Sequence, residues 1–480
     1  MKKFQDVFFG YADANKEAKH NPIDFEKAFF DPSNHLEELT YVYRYIIKGR
    51  KGDGKTAYSA KINLLSNSKD SNIKSIQRSL SNFDNGIFDK LKTYDNLGGN
   101  PYISFWKSIL IIECIKMIDH YEPHNSNPEY VHLVADLQRH GLLEKDDDIC
   151  ITISKLVESN TTIDIKSFIS HARKNEHNNT LRGAEQIYTT MYKILKNLYF
   201  RDSRFCLIVD GLDDILHHSK FEPKVITGLI RASDEINGLF SKTTLKLKIL
   251  ILIRNDILNV CRDPNFSKII RDSAINLAWE INDDFDSSNL IQLVKKRFKV
   301  AWGTDESFIE IWNNLFIEKV NDKPSFDYVL ENMMYRPRDI LQFFIEAQKA
   351  YRTGQKITQD ELFQILSKYS EEYFVDAMRD ELTGFFPDGV VTILPDIFMK
   401  LGTRNFYAKD FESECKKYSE FKDVEIRLLL GKLFDVGYIG QFRPREPKAY
   451  VVFSYRNPRE RFNEEHECII HRGLLRAFTM

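Results

Sequence analysis

Gly49, Gly52 and Gly54 fall within six positions of a chain that has only 21 glycines, and Lys55 and Thr56 follow at once. The run Gly49-Arg50-Lys51-Gly52-Asp53-Gly54-Lys55-Thr56 meets the pattern G-x-x-x-x-G-K-[ST] in full. Glycine lets a backbone turn successive N–H groups toward one point with no Cβ in the way. Those amides, with the positive end of a following helix, make a cradle for phosphate oxygens. In such a loop the lysine reaches the β- and γ-phosphates and the last hydroxyl ligates Mg2+. Lys55 and Thr56 take those parts here, with Ala57 adjoining, and the implied ligands are ATP and Mg2+. The other reading, a glycine turn that ends a strand with Lys55 merely exposed, leaves the spacing unexplained.

A phosphate loop of this kind works with a carboxylate at the end of a neighbouring strand, which holds the metal. Phe205 to Asp214 reads FCLIVDGLDD, and Asp210 directly follows an apolar run. Asp213 and Asp214 come within one turn of it, either to polarise a water or to form a polar helix start.

These residues need a scaffold. Tyr41 to Ile47 reads as a strand entering the glycine loop, and Thr56 to Leu65 as the helix leaving it. Ser66 to Asn85 is rich in Ser, Asn and Asp and reads as a loop. Ile103–Ile118 and Ala184–Leu198 carry helical periodicity. Phe205–Val209, Leu247–Ile253 and Ile275–Trp279 are short buried-strand candidates. Apolar strands separated by helices imply a parallel sheet with crossover helices. About 150 residues separate the glycine loop from Asp210, so a helical insertion at about 101–200 is expected. Residues 287–370 return to helical periodicity. Ala408–Lys417 and Val424–Asp435 then precede a hairpin from Tyr438 to Tyr455, the order of a winged helix. The expected fold is α/β: a P-loop parallel-sheet core over 1–285, a helical lid over 286–385 and a winged-helix domain over 386–480.

Taken together, these motifs resemble the STAND and AAA+-like P-loop ATPases. GRKGDGKT matches their Walker A pattern, and IVDGLDD resembles the STAND form of Walker B. The resemblance implies ATP hydrolysis, with Asp214 as the acidic base. Arg254, in ILILIRNDI, falls at their sensor 1. Pro337 and Arg338, in YRPRDIL, fall at sensor 2. Gly211 stands where typical AAA+ enzymes carry a second acid, which implies slow hydrolysis. More closely, the chain resembles a bacterial family of P-loop ATPases that begin with an element like Phe9 to Glu17 and end with one like Cys468 to Leu474. That family implies a switch in phage defence or genome maintenance, with homo-oligomers and a separate effector protein as partners.

Arginine stabilises charge developing on a γ-phosphate, the role implied for Arg254 and Arg338. Arg271 sits where AAA+ rings place a finger for the neighbouring subunit. The hairpin from Gln441 to Arg461 holds six Lys or Arg against Glu446 and Glu460, a balance of +4 in a chain of net charge −2. Arg443, Arg445, Lys448 and Arg456 are its candidates for DNA phosphates. The helix before it has few donors, so two readings stand, a DNA wing or a packing module. A DNA-binding regulator with a slow or structural ATP site is the second functional reading; a small-molecule phosphotransferase is a third.

The near-neutral balance, 68 basic against 70 acidic residues, excludes a global field toward nucleic acid or membranes. Six scattered cysteines with no C-x-x-C pair argue against a zinc or disulfide framework. His217, His218 and His471 lack metal-ligand spacing and read as structural. Lys295-Lys296-Arg297 reads as the solvated face of a helix. No apolar run is long enough for a membrane span, and the first residues lack a signal-peptide h-region. A cytoplasmic protein is expected.

Overall fold

Ile46 and Ile47 are fully buried and open a short strand, β1 (Ile46–Gly49), that ends at the glycine loop. This is seen in a computed structural model, which describes residues 3–68, 70–80, 101–144, 148–159, 183–212, 223–261, 266–280, 284–444 and 450–478. Contacts divide the chain into an α/β unit (Ser33–Gly49 and Lys55–Leu277) and a second unit (Met1–Pro32, Arg50–Gly54 and Ala278–Met480).

In the α/β unit, β1 lies in a five-stranded sheet with β2 (Ile73–Ser79), β3 (Arg204–Asp210), β4 (Leu247–Arg254) and β5 (Ala274–Asn276). The order is β2-β3-β4-β1-β5, and every neighbouring pair is parallel. Buried Val and Ile runs in β3 and β4 put them in the centre. Helix α1 (Lys55–Ser66) leaves the loop. Helix α2 (Pro101–Tyr121) is apolar nearly all round and is buried accordingly; it packs on α3 (Pro223–Phe240). Among the described residues, no helix is long and apolar enough to cross a membrane. All six cysteines are buried and none is in a disulfide among the described residues.

Two expectations about this unit are corrected. Tyr41 ends a helix, His35–Tyr41, and only Ile46–Gly49 pairs as a strand. Tyr41, Val42 and Tyr43 are exposed, so their β propensity has no sheet to pack on. The polar stretch expected as a loop contains β2. Its buried positions include Ser75 and Arg78, which sequence reads as solvent-facing. Arg78 Nε pairs at 2.6 Å with Glu113, a fully buried carboxylate on α2 that also takes Lys116 at 2.8 Å. A strand can bury an arginine when its charge is matched inside.

The second unit packs aromatic rings from the N-terminal segment into helices. Phe9 stacks on Phe344 at 4.8 Å, and Phe4 meets Phe298, Phe316 and Phe344. Helix α4 (Asn289–Trp302) carries Arg297, which corrects the expectation of a solvated basic face. Arg297 is buried and ion-paired to Glu17, and Lys296 donates to the Phe29 carbonyl. Gly10 explains the phenylalanine-glycine element: a Cβ there would lie 2.3 Å from a Glu17 carboxylate oxygen.

Further helices follow: α5 (Pro337–Ala350), α6 (Val375–Leu382), α7 (Asp388–Leu401), α8 (Ala408–Cys415) and α9 (Ile426–Val436). They lead to a four-stranded antiparallel sheet of β6 (Asn405–Phe406), β7 (Ile439–Arg443), β8 (Tyr450–Val452) and β9 (Cys468–Ile470), in the order β8-β7-β9-β6. The chain's last motif supplies β9 and then His471. His471 is buried and caps a short helix, its Nδ1 accepting from the Gly473 N–H at 3.0 Å. The neutral ring then has its proton on Nε2, 3.1 Å from the Tyr455 hydroxyl.

Burial, with Arg456 nearby, pushes the His471 pKa down to about 3. Folding therefore favours the neutral form. This stability is complete above the ordinary pKa near 6.5 and is lost as pH falls from there toward 3. From pH 7.5 to 5.5 the wild type is expected to lose about 1.4 kcal/mol more than His471→Asn, which keeps a capping side chain. Urea unfolding of both proteins at the two pH values checks this; equal losses would remove His471 from the account.

Candidate functional site

The loop after β1 turns through Gly52 at φ 91° and Gly54 at φ 92°, and Lys55 opens α1. Lys55 Nζ lies 3.4 Å from the Gly49 carbonyl. A Cβ on Gly54 would meet open space, so that glycine is there for its backbone conformation.

Three consecutive loop carbonyls are held from behind within the second unit. The Lys51 oxygen accepts from Arg336 Nη1 at 3.3 Å, the Gly52 oxygen from the Arg338 N–H at 3.4 Å, and the Asp53 oxygen from Trp279 Nε1 at 2.9 Å. A trans peptide plane points its N–H opposite its C=O. Fixing the Lys51 and Asp53 carbonyls therefore aims the N–H groups of Gly52 and Gly54 the other way, as an anion nest requires, while the Asp53 N–H donates to the Arg50 carbonyl at 3.3 Å. Asp53 is buried and accepts from the Arg50 N–H at 2.6 Å. The Arg50 guanidinium donates to the Met334 carbonyl at 3.1 Å. Lys51 pairs with Asp380 at 3.1 Å. Trp279 and Arg336 escaped the sequence reading; the only signals were a tryptophan closing INLAW and the first arginine of YRPR.

Arg336 itself is a buried structural cation. Its Nε reaches Asp339 at 3.0 Å and its Nη1 reaches Glu381 at 2.6 Å. Burial works against its charge, yet these two carboxylates hold its pKa well above the ordinary value. Pro337 starts α5, and Arg338 is half-buried in the first turn. The two arginines of YRPR thus divide the work, one packing under the loop and one at its surface.

Asp210 ends β3. Strand β4 lies between β3 and β1, so the Asp210 backbone is two strands, roughly 10 Å, from the start of the loop. Both sit at the C-terminal edge of the parallel sheet, where α/β proteins bind ligands. One Asp210 oxygen accepts from the Gly211 N–H at 2.8 Å and the other from Gln77 Nε2 at 3.1 Å. Gly211 has φ 79°, a conformation in which the glutamate of typical AAA+ sites would be strained. Gln77 escapes a reading of the sequence because the polar composition around β2 looks like a loop. Its Oε1 accepts from Asn63 Nδ2 of α1 at 3.0 Å, and Asn63 Oδ1 accepts from Ser75 Oγ at 2.7 Å. This chain fixes the Gln77 amide so that it donates to Asp210. Removing such an outer partner typically costs 10–100-fold in metal affinity or activity. Gln77→Leu is expected to raise the Mg2+ concentration for half-maximal ATP turnover about tenfold while ATP affinity stays within about threefold. Phosphate release across a Mg2+ series reads this, and an unchanged curve would dismiss the role.

Arg254 stands opposite Gly49 in the β1–β4 register. It is buried, and its guanidinium grips Asp256 with both Nε, at 2.9 Å, and Nη2, at 2.6 Å. Arg271 is exposed on the helix Phe266–Ser273. Thr56 and Ala57 lie half-buried in the first turn of α1. Asp213, Asp214, His217 and His218 lie outside the described residues, as do Arg445 and Lys448. Of the other hairpin candidates, Arg443 bonds Glu460 at 3.1 Å and His466 at 2.6 Å. Arg456 lies over the rings of Tyr335, at 4.9 Å, and Tyr455, at 5.5 Å. Both are engaged within their own unit.

A hydroxyl on Thr56 and a carboxylate on Asp210 are hard oxygen donors suited to Mg2+, and the nest suits a polyphosphate. The residues present therefore fit ATP and Mg2+.

Residues 288–378 match the family model of the FunZ-associated C-terminal helical domain. The chain is similar to the transposon gamma-delta 80.3 kDa protein of Escherichia coli K12, 23% identical over 95% of this chain and 65% of that protein. A segment covering 18% of the chain is 33% identical to Allergen Alt a 2 of Alternaria alternata, over 42% of it. The chain thus spans less than two thirds of either relative's length. Among solved structures, it is similar to the Aeropyrum pernix Orc1 protein in complex with DNA, with a TM-score of 0.39, 10% identity, and 96% and 92% of the two chains covered. It is also similar to Cdc6p from Pyrobaculum aerophilum, with a TM-score of 0.30, 12% identity, and 94% and 93% covered.

Proposed function

We propose that this chain is an ATP-binding switch that hydrolyses ATP slowly. The observation that carries the reading is the loop Gly49–Thr56, whose Gly52 and Gly54 amides are turned away from the donors that hold the carbonyls of Lys51 and Asp53. Lys55 would hold the terminal phosphates; Thr56 and Asp210 would hold Mg2+, which supplies charge neutralisation at the transferring phosphoryl group. Asp214 is the proposed base. Arg254 becomes available to the γ-phosphate only by leaving Asp256, and Gly211 supplies no second acid; both features favour slow turnover. Arg338, bonded through its amide to Gly52, would report the state of the loop to α5. In this reading residues 286–385 act as a lid and 386–480 as a winged helix, with a homo-oligomer and a separate effector as partners. A cytoplasmic role in phage defence or genome maintenance rests on the family resemblance alone.

Titration of the purified full chain with ATP and Mg2+ by calorimetry, followed by phosphate-release assays, tests the reading. Absence of saturable ATP binding ends it. The alternative, a DNA-binding regulator, now leans on Arg445 and Lys448. A gel shift that persists in Lys55→Ala and weakens with salt would favour it.

A further inference from the structure

At the N-terminal edge of the sheet, away from the phosphate loop, the α/β unit contains a cavity of about 290 Å3. Its walls come from the segment before β1 and from the starts of β3 and β4, with the end of α3. The lining includes the rings of Tyr41, Tyr43 and Phe240 and the cations Arg204, Lys246 and Lys248, with no carboxylate among its residues.

These cations are placed differently. Lys248 is turned away, its ammonium donating to the Leu39 carbonyl at 2.8 Å and the Arg44 carbonyl at 3.3 Å. The Arg204 guanidinium lies 4.8 Å from the centre of the Tyr41 ring, and its buried Nε has no hydrogen-bond partner. Lys246 is exposed and makes no ion pair among the described residues. The volume is close to that of small-ligand sites, and an apolar lining with a few polar groups is their usual composition.

We propose that this cavity is a binding site for a small aromatic anion, its ring against Tyr41 and Tyr43 and its charged group on Arg204 and Lys246. The guanidinium stacked on Tyr41 is already oriented, so little side-chain entropy remains to be lost on binding. The site is independent of the phosphate loop and stands whether or not ATP binds there.

A matched pair of dyes tests this on the full chain without nucleotide: 1-anilinonaphthalene-8-sulfonate, and N-phenyl-1-naphthylamine, which lacks the sulfonate. The sulfonate dye is expected to bind saturably at one site. Arg204→Gln is expected to weaken it about tenfold, the usual scale for one charge-assisted hydrogen bond, and Lys246→Gln severalfold. Neither change should alter binding of the neutral dye. Lys246 is at the surface, so its variant keeps the test valid if Arg204→Gln folds poorly. Equal affinity for the sulfonate dye in wild type and both variants overturns the proposal, as does the absence of saturable binding.

Discussion

Lys55→Ala is expected to weaken ATP binding on the order of a hundredfold and to abolish measurable hydrolysis. A charged group hydrogen-bonded to a charged partner contributes about 1.5–3 kcal/mol, each 1.4 kcal/mol being tenfold. Lys55 would contact more than one phosphate oxygen, which places the loss at the upper end. The folded chain should be little affected, because Lys55 is only half-buried, at the start of α1. Asp210→Ala separates binding from chemistry. It would remove the proposed metal ligand while leaving the glycine loop intact, so ATP should still bind but turn over at least a hundredfold more slowly. The measurement is calorimetric titration paired with phosphate release for wild type and both variants. If Lys55→Ala binds ATP as the wild type does, the glycine loop is only a turn. If Asp210→Ala releases phosphate at the wild-type rate, the metal lies elsewhere.

The second large effect is on stability. Arg336→Met is expected to destabilise the second unit by about 3–5 kcal/mol, the usual cost of removing one partner from a buried ion pair. Asp339 and Glu381 are both buried. Asp339 is held below the ordinary carboxylate range, the arginine outweighing the burial that would raise it. Without Arg336 two buried carboxylates face each other with Tyr373 and Tyr438 as donors, at 2.7 Å and 3.3 Å. Adding Asp339→Asn and Glu381→Gln to Arg336→Met should restore a large part of the loss, since the charge imbalance is the main cost. Urea unfolding of the three proteins decides this. A single variant as stable as the wild type would mean the network is not the anchor described. Because Arg336 also holds the Lys51 carbonyl, Arg336→Met should weaken ATP binding even under conditions where the unit stays folded.

How much of this was legible in sequence varies with how local the cause is. The glycine loop was readable in full, because its backbone conformation follows from glycine positions within eight residues. Asp210 was readable because an apolar run must end where the chain leaves the sheet. Strand β2 was not: it buries Arg78, and what makes that tolerable is Glu113, 35 positions away in sequence. Gln77 was lost with it. Arg297 looks like part of a solvated basic face, since its partner Glu17 lies 280 positions earlier in the chain. Tyr41 to Tyr43 looked like strand because β propensity describes how a side chain fits a pleated surface, and there the helix His35–Tyr41 and the cavity edge take its place.

The sequence by itself determined that a glycine-rich turn joins a buried strand to a helix, since both glycine geometry and strand burial are set by neighbouring residues. Only the tertiary structure decided which groups hold the carbonyls of that turn and orient the Asp210 carboxylate. Trp279, Arg336 and Gln77 act through distances of about 3 Å to atoms far off in the chain. A hydrogen bond or ion pair depends on where folding brings its two ends, and that information is not carried by either residue alone.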